Sequence, residues 1–134
     1  VGHDNGSTDN LDFAQTYTHT FGSIINTSKR IIKLANTNLT EVATFGSDTA
    51  DGAFVRADIR YIRVTNLDGT SALQVGLDDE ASDAAYTSVA ANSSIMYTGT
   101  TCEGGNGGNT LDNATALKVK GVAGHQLEVF IASV

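Results

Sequence analysis

Three histidines (His3, His19 and His125), one thiol (Cys102) and a surplus of carboxylates are the residues of this chain that could do chemistry. A histidine next to a hydroxyl or thiol and a carboxylate could make a nucleophilic triad. The local signatures that place such groups do not occur: there is no G-x-S-x-G turn, no H-E-x-x-H helix and no P-loop. His19 falls on the aromatic side of an alternating segment, so a packed histidine is expected there. His125 falls at a hairpin turn and is expected to be exposed. Cys102 lies in a glycine-rich stretch without a neighbouring helix or base, which predicts a bystander thiol. No catalytic residue and no cofactor are assigned, and an enzyme is not expected.

The carboxylates could instead hold Ca²⁺, which takes several hard oxygen ligands. Asp78, Asp79, Glu80 and Asp83 form one candidate set, and Asp4, Asp9 and Asp12 another. Neither follows the spacing of a known calcium loop, so solvated acidic loops are the preferred reading and no metal site is assigned. N-x-S/T occurs at Asn5, Asn26, Asn38, Asn92 and Asn113, in a chain so rich in Asn, Ser and Thr that matches arise by chance. Gly104 to Gly108 reads GGNGG, but no Lys-Ser/Thr helix start follows it, so phosphate cradling is not expected.

These side chains must be positioned by strands. The 134 residues include no Pro and no Trp; 40% are hydrophobic and only 17% charged, where about 25% is usual. Thr, Ser, Asn and Gly replace the missing charge, and they suit strands and turns better than exposed helix faces. The formal net charge of −7 disfavours direct nucleic-acid binding. The basic residues Lys29, Arg30 and Lys33, and Arg56, Arg60 and Arg63, form no run. No window approaches 18 apolar residues, so no membrane span is expected.

Period-two alternation appears at Leu11–Phe21, Ala53–Tyr61, Leu73–Leu77 and Leu127–Ile131. Ile24 to Ala35 has adjacent pairs, Ile24-Ile25 and Ile31-Ile32, and predicts a strand with a bulge, with a short helix as the alternative. Leu39 to Phe45 is a further strand. In Ala53 to Thr65 the phase flips after Tyr61, which predicts a bulge or a crossing between sheets. Asp68-Gly69 predicts a hairpin turn returning through Leu73, Val75 and Leu77. Asp78 to Ala84 reads as an acidic loop, Ala85–Ala90 and Ser93–Thr98 as short strands, and Gly99–Asn113 as a long flexible loop. About eight short strands predict an all-β, antiparallel β-sandwich, of which a jelly-roll-like arrangement is one form. Its core is expected at Ile62, Val64, Leu73, Val75, Leu117, Val119, Leu127 and Val129. Residues 1–10 read as an arm and 11–134 as one sandwich domain.

IRYIRVTNLDGTSALQVGL, Ile59 to Leu77, resembles a strand-turn-strand of small structural proteins of tailed bacteriophages. YTSVAANSSIMYTG is similar to that family's kinked strand, and ALKVKGVAGHQLEVFIAS to its final hairpin. At the kink this chain has Ala91-Asn92 where the family usually carries Pro-Gly or Ala-Gly. The resemblance covers Ile59 to Val134 and implies a β-sandwich virion protein. The expectation that follows is a capsid decoration or cement protein on the outer surface of the capsid. It would work as a homo-oligomer through contacts with itself and the major capsid protein. A tail, neck or fibre component is the first alternative, and a carbohydrate-binding attachment module, with Tyr86 and Tyr97 as its aromatics, the second. The assembly contacts expected are Val1, His3, Asp4, Asn5, Asp9 and Asn10 on the arm, and Cys102, Glu103, Asn106 and Asn109 on the glycine-rich loop. No nucleic-acid or membrane partner is expected.

Overall fold

Strands rich in Val, Ile, Thr and aromatic residues need two covered faces or one, and this chain covers one face of each of two sheets. A computed structural model describes residues 24, 26–46, 54–79, 86–98, 101–102, 109–110 and 114–134. The strands are β1 Asn26–Lys33, β2 Thr40–Gly46, β3 Phe54–Val55, β4 Ile59–Asn66, β5 Leu73–Asp79, β6 Tyr86–Val89, β7 Ser94–Thr98, β8 Thr101–Cys102, β9 Asn109–Thr110, β10 Ala114–Lys120 and β11 Gln126–Ser133. One sheet has the order β1-β11-β4-β7, the other β3-β2-β10-β5-β6, and β8 pairs with β9 alone. Among the described residues only the short β2–β3 pairing is parallel.

Leaving aside the two-residue strands β3, β8 and β9, eight strands remain among the described residues. By chain position, the first, eighth, third and sixth form one sheet, and the second, seventh, fourth and fifth form the other. That order is a jelly roll. The core between the sheets contains all eight residues expected there, each at most 1% exposed. Leu34, Phe45, Ile59, Val89 and Ile131 complete it. No helix among the described residues is long and apolar enough to cross a membrane.

Several sequence expectations change. β1 pairs with β11 residue for residue, from Asn26↔Ser133 to Lys33↔Gln126, with no bulge. The adjacent Ile31 and Ile32 point to opposite faces of the sheet, Ile32 against the core and Ile31 in solvent. The crossing between sheets lies ahead of the phase flip at Tyr61: β3 lies in the five-stranded sheet, a 3₁₀ turn spans Arg56–Asp58, and β4 lies in the four-stranded sheet. A register shift between Ala132 and Ser133, opposite Tyr61 and Ile59, then turns Tyr61 outward onto Phe130 instead of inward. The Asp68-Gly69 segment does not close a hairpin, because β4 and β5 belong to different sheets. Gly69 is not among the positive-φ residues. β10 and β11, expected as a hairpin, are likewise split between sheets. Asp78 and Asp79 belong to β5, not to a loop, and Asp78 pairs with Lys118 on β10. Within Gly99–Asn113, expected as a flexible loop, Thr101 pairs with Thr110 and Cys102 with Asn109. The arm 1–10, the expected strand Leu11–Phe21 with His19, and Glu80 and Asp83 lie outside the described residues.

The turn at Val122–His125 requires a glycine. His125 N donates to Val122 O at 3.1 Å, and Gly124 sits at φ +86°. Gly124→Ala is expected to destabilise the fold by about 1–2 kcal/mol, because a Cβ in the left-handed region crowds the following carbonyl. Urea unfolding checks it. Asn92, at φ +57° in the β6–β7 turn, is the contrasting case, since Asn tolerates that region better than other side chains.

Candidate functional site

Four connections meet at one end of the sandwich: 34–39, 67–72, 90–93 and 121–125. Backbone hydrogen bonds tie them together: Leu34 N to His125 O and Gly124 N to Leu34 O, both 2.8 Å, Leu67 N to Gln126 O at 3.0 Å, and Asn92 N to Asp68 O at 3.1 Å. At their centre is Asn66, fully buried at the inward end of β4. Its Nδ2 donates to the carbonyls of Ser71 (2.8 Å), Val89 (3.1 Å) and Ala90 (3.1 Å). Its Oδ1 accepts from Asp68 N at 3.0 Å and lies 2.5 Å from His125 Nε2. Three carbonyls on one side of the amide fix its orientation, so Oδ1 is the acceptor and His125 Nε2 carries the proton.

His125 is 1% exposed, which corrects the expectation of an exposed turn histidine. The ring fits because residue 121 is glycine: a Cβ there would lie 2.8 Å from His125 Nδ1 and 3.0 Å from Leu34 Cδ1. The pair is structural. Asn66 directs its hydrogen bonds to backbone groups and to the ring. Asp68 extends the network by accepting at Oδ1 from Thr70 N, Ser71 N and Thr70 Oγ1. Those donors, Thr70 N first, hold its carboxyl below the usual carboxylate range. The sequence offered only the Asx-turn letters of Asn66-Leu67-Asp68-Gly69-Thr70; nothing in it placed His125 against Asn66.

The outer face of the four-stranded sheet is the second assembly of side chains. Register puts Lys29, Phe130, Arg63 and Met96 in one cross-strand row. Ile31, Glu128, Thr65 and Ser94 form the next. Phe130 meets Tyr61 edge-on at 5.9 Å and the Arg63 guanidinium at 5.6 Å. Glu128 is bonded from both sides, by Lys29 Nζ at 3.2 Å and Arg63 NH2 at 2.9 Å. Lys29 first and Arg63 second hold its carboxyl below the usual range. Flanking this centre, Ile31 and Met96 are 66% and 60% exposed. The outer face of the five-stranded sheet differs: Lys118 lies between Glu41 and Gly76 in register and pairs with Asp78, which raises the Lys118 pKa.

No family model matches the chain, and no curated protein does. Among solved structures, a chain described as "Bacillus endospore appendages form a novel family of disulfide-linked pili" is similar over 90% of this chain and 97% of that one, at 14% identity and a TM-score of 0.49.

Of the expected assembly contacts, Val1, His3, Asp4, Asn5, Asp9, Asn10, Glu103 and Asn106 lie outside the described residues. Cys102 and Asn109 face each other in register across the β8–β9 pair. Of the two tyrosines considered as sugar platforms, Tyr97 packs against the core, while Tyr86 is exposed on β6. Among the described residues, no three His, Cys, Asp or Glu side chains come together to hold a metal.

The Glu128 carboxylate has a pH consequence. A carboxyl with a lowered folded pKa contributes stability that is complete above its ordinary value, about 4.5, and is lost as pH falls through the folded value. The melting temperature is expected to hold from pH 7 to 5 and to fall below 4.5, with Asp68 adding to the fall. Glu128→Gln should flatten part of that acid limb and leave the neutral plateau nearly flat. Calorimetric melts at pH 3 to 7 test this; an unchanged acid limb in the variant would refute it.

Proposed function

We propose that this chain is a non-enzymatic structural subunit of a tailed-phage virion, a decoration or cement protein on the outer surface of the capsid. Its partners are the major capsid protein and further copies of itself. It stabilises the particle through interface area and performs no chemistry. The observation that carries the reading is the outer face of the four-stranded sheet, where exposed Ile31 and Met96 flank the Phe130–Tyr61–Arg63 cluster. Exposed apolar surface rimmed by charge is the composition of a contact surface. Two further features support it. The buried polar pair, Asn66 and His125, is used to lock connections together, which suits a rigid building block. The resemblance of Ile59–Val134 to phage structural proteins supplies the setting.

A tail, neck or fibre component would use the same fold and the same surface, and the copy number separates the two. Particles purified from the source of this sequence, measured by quantitative mass spectrometry, are expected to contain this chain in hundreds of copies, comparable with the major capsid protein. About a dozen copies would assign it to the neck or a fibre. Its absence from particles would overturn the virion reading.

A further inference from the structure

Among the described residues, β7 is an edge of the four-stranded sheet, paired with β4 on one side only. In an antiparallel pair, alternate residues turn their N–H and C=O groups toward the same neighbour. Asn66 N donates to Ser93 O at 2.8 Å, which sets the phase: residues 93, 95 and 97 turn toward β4. The backbone groups of Ser94, Met96 and Thr98 therefore point outward, along the edge. Natural sheets blunt such edges with charge, proline or an inward-pointing charged side chain. The opposite edge, β1, is blunted in this way. It carries Lys29, Arg30 and Lys33, and Arg30 reaches across the sandwich to Val42 O at 2.5 Å. β7 carries no such device. Every residue from Ala84 to Cys102 is uncharged and none is proline. Met96, at the middle of β7, is 60% exposed.

We propose that β7 pairs antiparallel with β7 of a second copy, about a twofold axis at Met96, so that two four-stranded sheets become one continuous sheet. The inference rests on the structural-subunit reading above and specifies its contact between copies. The edge is its own complement, as a twofold contact requires. In this register Ser94 stands opposite Thr98 of the second copy, and Met96 opposite Met96 of the second copy. Every outward N–H and C=O of these three residues then finds a partner. On the inward face Ile95 stands opposite Tyr97 of the second copy, a β-branched side chain against an aromatic one in the closer, non-hydrogen-bonded kind of pair. Both already pack against their own core, so pairing extends each core at its flank. On the outer face the two methionines meet and join the rows of Phe130, Arg63 and Met96. The two Arg63 residues stand three strand spacings apart, ~14 Å, beyond the Debye length of about 8 Å at physiological salt. Pairing through β1 would instead bring Lys29, Arg30 and Lys33 of both copies together. Five residues make a short contact, which gains strength where many copies are held on one surface.

Met96 gives the test, because its side chain stands in solvent and changing it spares the core. Sedimentation velocity of the wild-type chain should show a monomer–dimer equilibrium. Amide hydrogen exchange should locate the contact: the Ser94, Met96 and Thr98 amides, which β4 does not engage, should gain protection as concentration rises. Met96→Lys should weaken dimerisation at least tenfold while keeping the circular dichroism spectrum of the wild-type monomer. Met96→Glu alone should do the same. Mixed in equal amounts, the two variants should pair with each other, because the twofold axis sets position 96 against position 96. A wild-type chain that stays monomeric up to about 1 mM would overturn the proposal. So would outward amides protected equally at every concentration, since the edge would then be covered within one chain. Charged variants that associate like the wild type, or that fail to pair when mixed, would overturn it too. The particle copy number is read independently. A chain that pairs through β7 but is absent from virions would sink the virion assignment and leave the contact standing; a chain abundant in virions that never pairs would sink the contact alone.

Discussion

Asn66→Ala is expected to destabilise the fold by about 3–5 kcal/mol, as much as losing a large core side chain. Truncation removes the donor for the carbonyls of Ser71, Val89 and Ala90, the acceptor for His125 Nε2, and the acceptor for Asp68 N. A buried group left without a partner costs about 1–3 kcal/mol, and several are stranded at once. Loop relaxation and entering water recover part of that sum. Asn66→Leu separates hydrogen bonding from volume: it fills the space but restores no partner, so it should remain strongly destabilised. Asn66→Asp should not rescue either, since a carboxylate would turn an acceptor toward three carbonyls. His125→Ala removes an overlapping set of bonds. Its effect should therefore be non-additive with Asn66→Ala, with a coupling of about 0.5–3 kcal/mol. Hydrogen exchange gives a local signature. The amides of Leu34, Leu67 and Asn92, which bond between the four connections, should lose protection ahead of the core strands. An Asn66→Ala chain within 1 kcal/mol of wild type in urea would refute this account of the locked end.

The inward and outward positions of this fold were legible, and the partners of the strands were not. Ile62 and Val64, or Leu127 and Val129, alternate with charged or aromatic residues, and alternation reports which side chains face the core. It does not report which sheet a strand joins, because both sheets of a sandwich present the same pattern to the same interior. That is why the segment at Asp68-Gly69 and the stretch around Gly121–Gly124 both read as hairpins, although each crosses from one sheet to the other. Asn66 and His125 escaped for a related reason. A polar residue at an inward position reads as the end of a strand, and its partner lies 59 residues away, across a connection no local pattern encodes. The outer face was invisible in the same sense. Lys29, Phe130, Arg63 and Met96 are far apart in the chain and become one row only when β1, β11, β4 and β7 are placed side by side.

Leu127→Ala is the second large effect expected, about 2–5 kcal/mol, the range for a fully buried leucine truncated in a packed core. Leu127 is fully buried and stands opposite Ile32 on β1 and Asn66 on β4. Its site has little room to collapse. One side is the Asn66–His125 pair, whose geometry is fixed by hydrogen bonds, and the adjoining strand β4 is held from its other side by β7. On the other side is β1, an edge strand among the described residues. The loss should therefore fall toward the upper part of the range, and Leu127→Met, which nearly conserves volume, should cost less than about 1.5 kcal/mol. The adjacent residue is the control. Gln126 points to solvent, and its backbone carbonyl, not its side chain, accepts from Leu67 N, so Gln126→Ala should stay within about 0.5 kcal/mol of wild type. A slip of β11 by one residue would exchange the two positions between core and solvent. Similar losses for Leu127→Ala and Gln126→Ala would contradict the register that also builds the outer row of Lys29, Phe130, Arg63 and Met96, and with it the face assigned to assembly.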